Sequence, residues 1–255
     1  MMPHAVARLR AERLARSEKP FVARGSRIQR CPHCRVPLTH CLCSWLPHVP
    51  MNNAGVCLLM HDIEPLKPTN TGWLIADIVP DTWAFTWYRT GVDERLLQLL
   101  AEPQWQPFVV FPGEYTAPGR VVNDIQLPLP ASKRPLFILL DATWTEARKM
   151  FRKSPYLDAL PVLSLQPEAL SRYRLRRSTC AEHLCTAEVA ALCLQLAGDR
   201  QAGELLDAWL DVFTSHYLAA KHRRPLDPND QAHRILKDHQ HYCEPMPLIC
   251  DQKAT

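Results

Sequence analysis

From residue 55 onward, short unbroken apolar runs alternate with stretches in which apolar positions recur every three to four residues. The runs 55–60 and 136–140 lack the in-out alternation of a half-exposed strand, which predicts strands buried on both faces, as in a parallel sheet. Residues 83–88, 108–111 and 161–165 are further predicted strands. Helices are expected over 71–78 and 94–101, directly after Asp141, and over 181–197, where Gly198 supplies a closing glycine. Leu205, Leu206, Trp209, Leu210, Phe213, Tyr217 and Leu218 keep a 3.6-residue period and predict a structural amphipathic helix. Residues 62–70 and 116–135 read as loops, and residues 5–18 as a short basic helix. Residues 31–50 combine prolines and cysteines without periodicity, and the chain from Arg224 is polar and poorly patterned. The alternation of strands and helices predicts an α/β fold with a mostly parallel sheet flanked by helices. We divide the chain into a basic N-terminal segment with a cysteine knuckle (1–50), an α/β domain (51–224) and a polar tail (225–255).

The length of 255 residues suits one sizeable domain with a small appendage. No apolar stretch reaches the length of a membrane helix, and the basic N-terminus lacks the apolar core of a secretory signal. A cytoplasmic protein without a membrane partner is expected, so its ten cysteines are read as reduced. The net charge of +4 is placed unevenly. Residues 1–35 hold nine Arg or Lys against Glu12 and Glu18, while Arg172, Arg174, Arg176 and Arg177 crowd into six positions. Lys221, Arg223 and Arg224 form a third cluster. Any one cluster is as easily a solvated face; three together point toward a polyanion.

Cys31-x-x-Cys34 and Cys41-x-Cys43 place four thiols within thirteen residues that lack a core of their own. Tight turns of this kind aim sulfurs at one tetrahedral centre, and four thiolates leave no open coordination position, so a structural zinc is the expectation. A redox pair at Cys31 and Cys34 and four unrelated cysteines are the competing readings. The remaining cysteines lack ligand spacing and read as small buried hydrophobes.

In open α/β sheets chemistry gathers at the carboxyl ends of strands. Asp141, Thr143 and Trp144 stand at such an end and supply a carboxylate, a hydroxyl and an aromatic plate. A helix cap followed by a core tryptophan is the bland reading of the same residues. Lys67, Thr71 and Gly72 follow the first strand in a turn offering hydroxyls and free N–H groups, though a simple cap fits equally. Pro112 and Glu114 follow another strand. Asp81-Thr82-Trp83 precedes a strand and so faces the wrong end of the sheet.

The spacing Asp141-x-Thr143-Trp144 resembles the signature of the DTW-domain family of tRNA-uridine aminocarboxypropyltransferases. The cysteine knuckle, the segment from His61 to Gly72, the Phe111-to-Glu114 turn, Tyr173 to Arg176 and the segment from Leu184 to Leu192 resemble the same family in the same order. Cys185-Thr186 departs from the expected Ser-Thr pair. The resemblance implies a SPOUT-like sheet with a C-terminal knot. It also implies transfer of the 3-amino-3-carboxypropyl group from S-adenosylmethionine to N3 of a tRNA uridine, releasing methylthioadenosine. Under that reading Asp141, Thr143 and Trp144 are catalytic. Thr71, Gly72, Pro112, Glu114, Thr186 and Glu188 join them around the co-substrate, and Lys67 and Arg172, Arg174, Arg176 and Arg177 meet tRNA. A methyltransferase with the same co-substrate and a non-catalytic zinc-containing RNA-binding protein are the alternatives.

Overall fold

A computed structural model describes residues 3–18, 28–48, 52–165 and 184–239. Six parallel strands form its sheet: β1 Gly55–Met60, β2 Thr82–Thr86, β3 Trp105–Val110, β4 Val121–Val122, β5 Arg134–Asp141 and β6 Val162–Leu163. They lie in the order β2-β1-β5-β3-β6-β4. Strand β5 is therefore central, paired residue for residue with β1 (Met60 opposite Asp141) and with β3 (Val110 opposite Leu139). Every residue of β1 is buried, as the unbroken apolar run predicted.

Alternation along the strands sends side chains to two cores. Val56, Leu58, Met60, Phe137 and Leu139 face α1 (Ala5–Ala15), α2 (Gly72–Ile78), α5 (Thr186–Leu196) and α6 (Arg200–His222). Cys57, Leu59, Leu136 and Ile138 face α3 (Glu94–Ala101) and α4 (Trp144–Arg152). Fully burying each of the Val, Leu, Ile, Met and Phe side chains among them contributes about 1.5–3 kcal/mol. Helix α5 ends as the glycine predicted: Gly198 takes φ +83°, its N–H reaching Gln195 O while that of Asp199 reaches Leu194 O.

Several boundaries differ from the sequence reading. Residues 116–135, read as loop, contain β4 and the start of β5; a two-residue strand has no period to detect and exists only because β6 pairs with it. Strand β2 stops at Thr86, two residues short of the expected end, while β5 begins two residues before its apolar run and ends in Asp141. The poorly patterned tail contains α7 (Gln231–Asp238), capped by the Asp230 side chain and packed on α6. The predicted start of α5 at 181 lies outside the described residues, as does the course of 166–183, on which any knot would depend. No described helix is long and apolar enough to cross a membrane.

Candidate functional site

Asp141 ends the central strand with its side chain on the α2/α5 side, and it is 1% exposed. Asn70 Nδ2 donates to its Oδ2 at 2.6 Å, and Thr186 Oγ1 donates to its Oδ1 at 2.7 Å. Its backbone carbonyl accepts the His61 N–H. The carboxylate thus ties together the loop after β1, the end of β5 and the first turn of α5. Gly72 allows this closure. A Cβ there would lie 2.6 Å from Asp141 Oδ2 and 3.2 Å from Asn70 Oδ1.

Asn70 is the junction residue. Its amide also donates to Glu64 Oε2 at 3.4 Å, and its Oδ1 accepts the Trp73 N–H at 3.1 Å. Glu64 is fully buried and is paired with the Lys67 ammonium. The sequence pointed to Lys67 as an RNA contact; the structure engages it inward, neutralising a buried carboxylate. Thr71 is buried at the start of α2. Glu188 accepts the Cys185 N–H at 2.7 Å and closes the first turn of α5.

Behind this loop stands Arg35, the residue after the second cysteine of the knuckle. It is 5% exposed, and its backbone is left-handed (φ 62°). Its guanidinium donates to Lys67 O at 2.8 Å and to Asn70 O at 2.9 Å, and lies 4.0 Å from the centre of a Trp73 ring. The knuckle therefore braces the segment that carries Asn70. Sequence reasoning missed both Arg35 and Asn70. Asn70 was visible inside a Thr-Asn-Thr-Gly turn, whereas Arg35 gave no local sign.

The ligand atoms of Cys31, Cys34, Cys41 and Cys43 all lie within 4.8 Å of one another. Cys31 Sγ is 3.5 Å from Cys43 Sγ, and Cys34 Sγ is 3.8 Å from Cys41 Sγ. A tetrahedron with zinc–sulfur bonds of about 2.3 Å has edges of about 3.8 Å, so the thiols fit that metal. Crowding splits their acidities: Cys31 is pulled down, chiefly through hydrogen bonding with Cys34, while Cys43 is pushed up, chiefly by Cys31. A divalent cation among them replaces mutual repulsion by attraction. Arg35 N–H bonds Cys31 O, and Cys31 N–H bonds Val36 O, so the metal turn and the bracing arginine form one local unit.

Thr143 and Trp144 turn to the opposite face. Thr143 caps α4: its hydroxyl and N–H donate to Glu146 Oε2, and its Oγ1 accepts the Glu146 N–H. That reciprocal box was the bland reading of Thr143. Hydrogen bonding with Thr143 outweighs partial burial and holds the Glu146 carboxyl below its ordinary range. Trp144 is half-buried and stacks on Phe111 (centroids 5.4 Å apart, 13° between planes), with Tyr115 edge-on at 6.0 Å. Pro112 precedes the short turn Gly113–Tyr115, on which Glu114 is exposed, and Ser164 holds that turn through Gly113 N–H. The structure therefore gathers Thr71, Gly72, Asp141, Thr186 and Glu188, and leaves Thr143, Trp144, Pro112 and Glu114 in a second group across the sheet edge. Arg172, Arg174, Arg176 and Arg177 lie outside the described residues. A cavity of about 720 Å³ opens past the ends of β4 and β6, lined by Asn123, Leu165, Leu192, Gln195 and Arg200 among others. Among the described residues, none of those singled out as site candidates from sequence lines it. The surroundings of Asp141 are the candidate centre, because buried polar groups from three segments converge there. Asp81, Thr82 and Trp83 sit at the opposite end of the sheet, where β2 begins, as their position before a strand implied.

These features define a parallel α/β protein with a four-cysteine cluster that fits a metal ion and a carboxylate closing its central strand. The chain belongs to the DTW domain family, whose match spans residues 28–218. Among curated proteins it is similar to tRNA-uridine aminocarboxypropyltransferase 2 of Drosophila melanogaster, 26% identical over 183 residues and 69% of each chain. The Mus musculus protein of that name is 25% identical over 178 residues, 69% of this chain and 58% of its own. For Macaca fascicularis the values are 25% over 175 residues, 68% and 57%. The chain thus spans less than two thirds of the length of these mammalian relatives. No solved structure matches it significantly.

Proposed function

We propose that the protein modifies uridine in tRNA, transferring the 3-amino-3-carboxypropyl group of S-adenosylmethionine to N3 and releasing methylthioadenosine. Family membership and the names of the relatives support the substrate class. The observation that carries the site is the convergence of Asn70, Gly72 and Thr186 on Asp141 at the end of the central strand.

The sulfonium of S-adenosylmethionine offers three carbons to a nucleophile, and its methyl is the least hindered. Moving the larger group requires that the methyl be covered and the γ-carbon be held in line with the incoming nitrogen. In this reading Asp141, Thr71, Thr186 and Glu188 hold the co-substrate, with the Asp141 carboxylate suited to an ammonium group. Burial of Asp141 and the donor on each of its oxygens favour this anchoring role over removal of the N3 proton. Trp144, backed by Phe111, offers an aromatic face suited to a sulfonium or a base, with Pro112 and Glu114 beside it. Cys31, Cys34, Cys41 and Cys43 would hold a structural zinc that keeps the knuckle, and through Arg35 the Asn70 loop, in place. The arginines at 172, 174, 176 and 177 would meet tRNA, as the resemblance implies, while Lys67 serves Glu64 instead; a cytoplasmic location belongs to the same reading.

The test uses unmodified tRNA and two preparations of S-adenosylmethionine, labelled in the methyl or in the carboxypropyl chain. Label entering tRNA from the second alone, with methylthioadenosine released, is the expected result. Methyl label with S-adenosylhomocysteine released makes the protein a methyltransferase. Neither label in tRNA that is nonetheless bound makes it a binding protein.

A further inference from the structure

Most described cations near the site are engaged within the protein. Arg13 pairs with both oxygens of Asp62, and Arg16 donates to the Tyr88 hydroxyl. Lys67 pairs with Glu64, and Arg35 and Arg120 donate to backbone carbonyls; at the other end of the sheet Arg134 pairs with Asp81. Helix α4 is different. It carries Arg148, Lys149, Arg152 and, at its C-cap, Lys153, with Lys149, Arg152 and Lys153 exposed and Arg148 half-buried. Among the described residues none of the four has a carboxylate partner; Arg152 Nε reaches only the Arg148 carbonyl, at 3.4 Å. The one acid on the helix, Glu146, is held by Thr143 and lies 3.6 Å from His61 Nδ1.

We infer that this face of α4 is the docking surface for the sugar-phosphate backbone of the RNA substrate. The inference rests on tRNA being the substrate, and it adds where the RNA lies. Helix α4 starts three residues beyond Asp141, with Trp144 and its aromatic neighbours at its first turn. At 1.5 Å per residue, the cations are spaced from about 6 to about 14 Å along the axis from that turn. A strand laid along the helix thus has its phosphates on guanidinium and ammonium groups and its target base at the aromatic end, where the helix follows the strand that carries Asp141. Cations combined with an adjacent stacking surface are the usual way of gripping exposed nucleotides. The helix dipole favours cations in the last turn, which accounts for Lys149 and Arg152. It gives no reason for Arg148, nor for four cations gathered without an acid to balance them.

The experiment measures binding of an unmodified tRNA transcript by fluorescence anisotropy across a salt series. It compares the wild type with Arg148→Gln/Lys149→Gln/Arg152→Gln/Lys153→Gln and with the smaller Arg152→Gln/Lys153→Gln variant, which keeps the half-buried Arg148. Each phosphate contact contributes about 0.7–0.9 to the slope of log affinity against log salt, so the fourfold variant should lose about 3 in slope. The twofold variant should lose about half as much, and KM for tRNA should rise at least tenfold with an unchanged melting temperature. Arg234→Gln/Lys237→Gln, on exposed positions of α7, serves as the comparison. Wild-type slope and affinity in folded α4 variants overturn the inference, as does an equal loss in the α7 variant. These outcomes leave the chemistry untouched. Conversely, a protein that binds tRNA through α4 but transfers no carboxypropyl label supports the surface and overturns the proposed reaction.

Discussion

Replacing Arg35 by Met keeps the length of the side chain and removes the guanidinium that joins the knuckle to the Asn70 loop. Two carbonyls, Lys67 O and Asn70 O, lose donors at 2.8 and 2.9 Å, and Trp73 loses the cation 4.0 Å from its ring. Hydrogen bonds from a charged donor contribute about 1.5–3 kcal/mol each, and a desolvated cation–π contact about 2 kcal/mol. Shared contacts of one group do not add fully, so we expect a loss of about 3–5 kcal/mol, a large part of a typical domain's stability. The left-handed backbone at position 35 (φ 62°) is retained by Met and cancels from the comparison. Urea unfolding of the purified protein measures the loss. Arg35→Lys should fall between the two, because one ammonium on a flexible stem cannot reproduce the planar fork that reaches both carbonyls. The proposed carboxypropyl transfer should fall at least a hundredfold in Arg35→Met, since Asn70 would no longer hold Asp141. A loss below about 1 kcal/mol together with wild-type transfer would refute the reasoning, because the loop would then hold its own shape.

Gly72→Ala should abolish transfer and destabilise by about 1–3 kcal/mol, because its methyl group meets Asp141 Oδ2 at 2.6 Å; a fully active, equally stable variant would show that the loop can move aside. Metal analysis should find one zinc per chain, with Cys43→Ser or chelation lowering the urea midpoint; a metal-free protein of unchanged midpoint rules out the structural zinc. Burial pushes the Asp77 carboxyl up to about 7 and the His4 imidazole down to about 3, with His4 Nδ1 accepting the Ala7 N–H as a neutral ring must. The raised acid contributes stability at low pH that is lost toward pH 7, and the depressed base contributes stability at high pH that is lost below about 6.5, so their slopes oppose between about pH 4 and 6.5. Asp77→Asn should uncover the histidine's share, a fall of up to about 1.4 kcal/mol per unit as pH drops from 6.5 toward 4; a urea-midpoint profile as flat as the wild type's would sink this.

Local periodicity was enough for the strands β1 and β5, the long helix α6 and the glycine end of α5, because burial on both faces or on one stripe writes itself directly into the order of apolar residues. The four-cysteine knuckle was equally legible, since its ligands are close in sequence and a tight turn suffices to aim them. Asp141 could be placed at a strand's carboxyl end from its neighbours alone. Which face it would take, and with which partners, could not. The parity of β5 sends Asp141 toward α2 and α5, while the cap at Thr143 swings Trp144 to the far side against Phe111. A motif of four residues is thereby divided between two cores. Strand β4 depends on pairing with β6, and helix α7 on a cap and on the surface of α6. Thr186 meets Asp141 across 45 positions because α5 packs against the end of β5, and Arg35 meets Asn70 because the knuckle lies against the loop after β1. Local sequence carries periodicities and turn chemistry over a few residues; charge partners, side-chain direction at a strand end and short paired strands are set by neighbours remote in the chain, and those only the tertiary structure supplies.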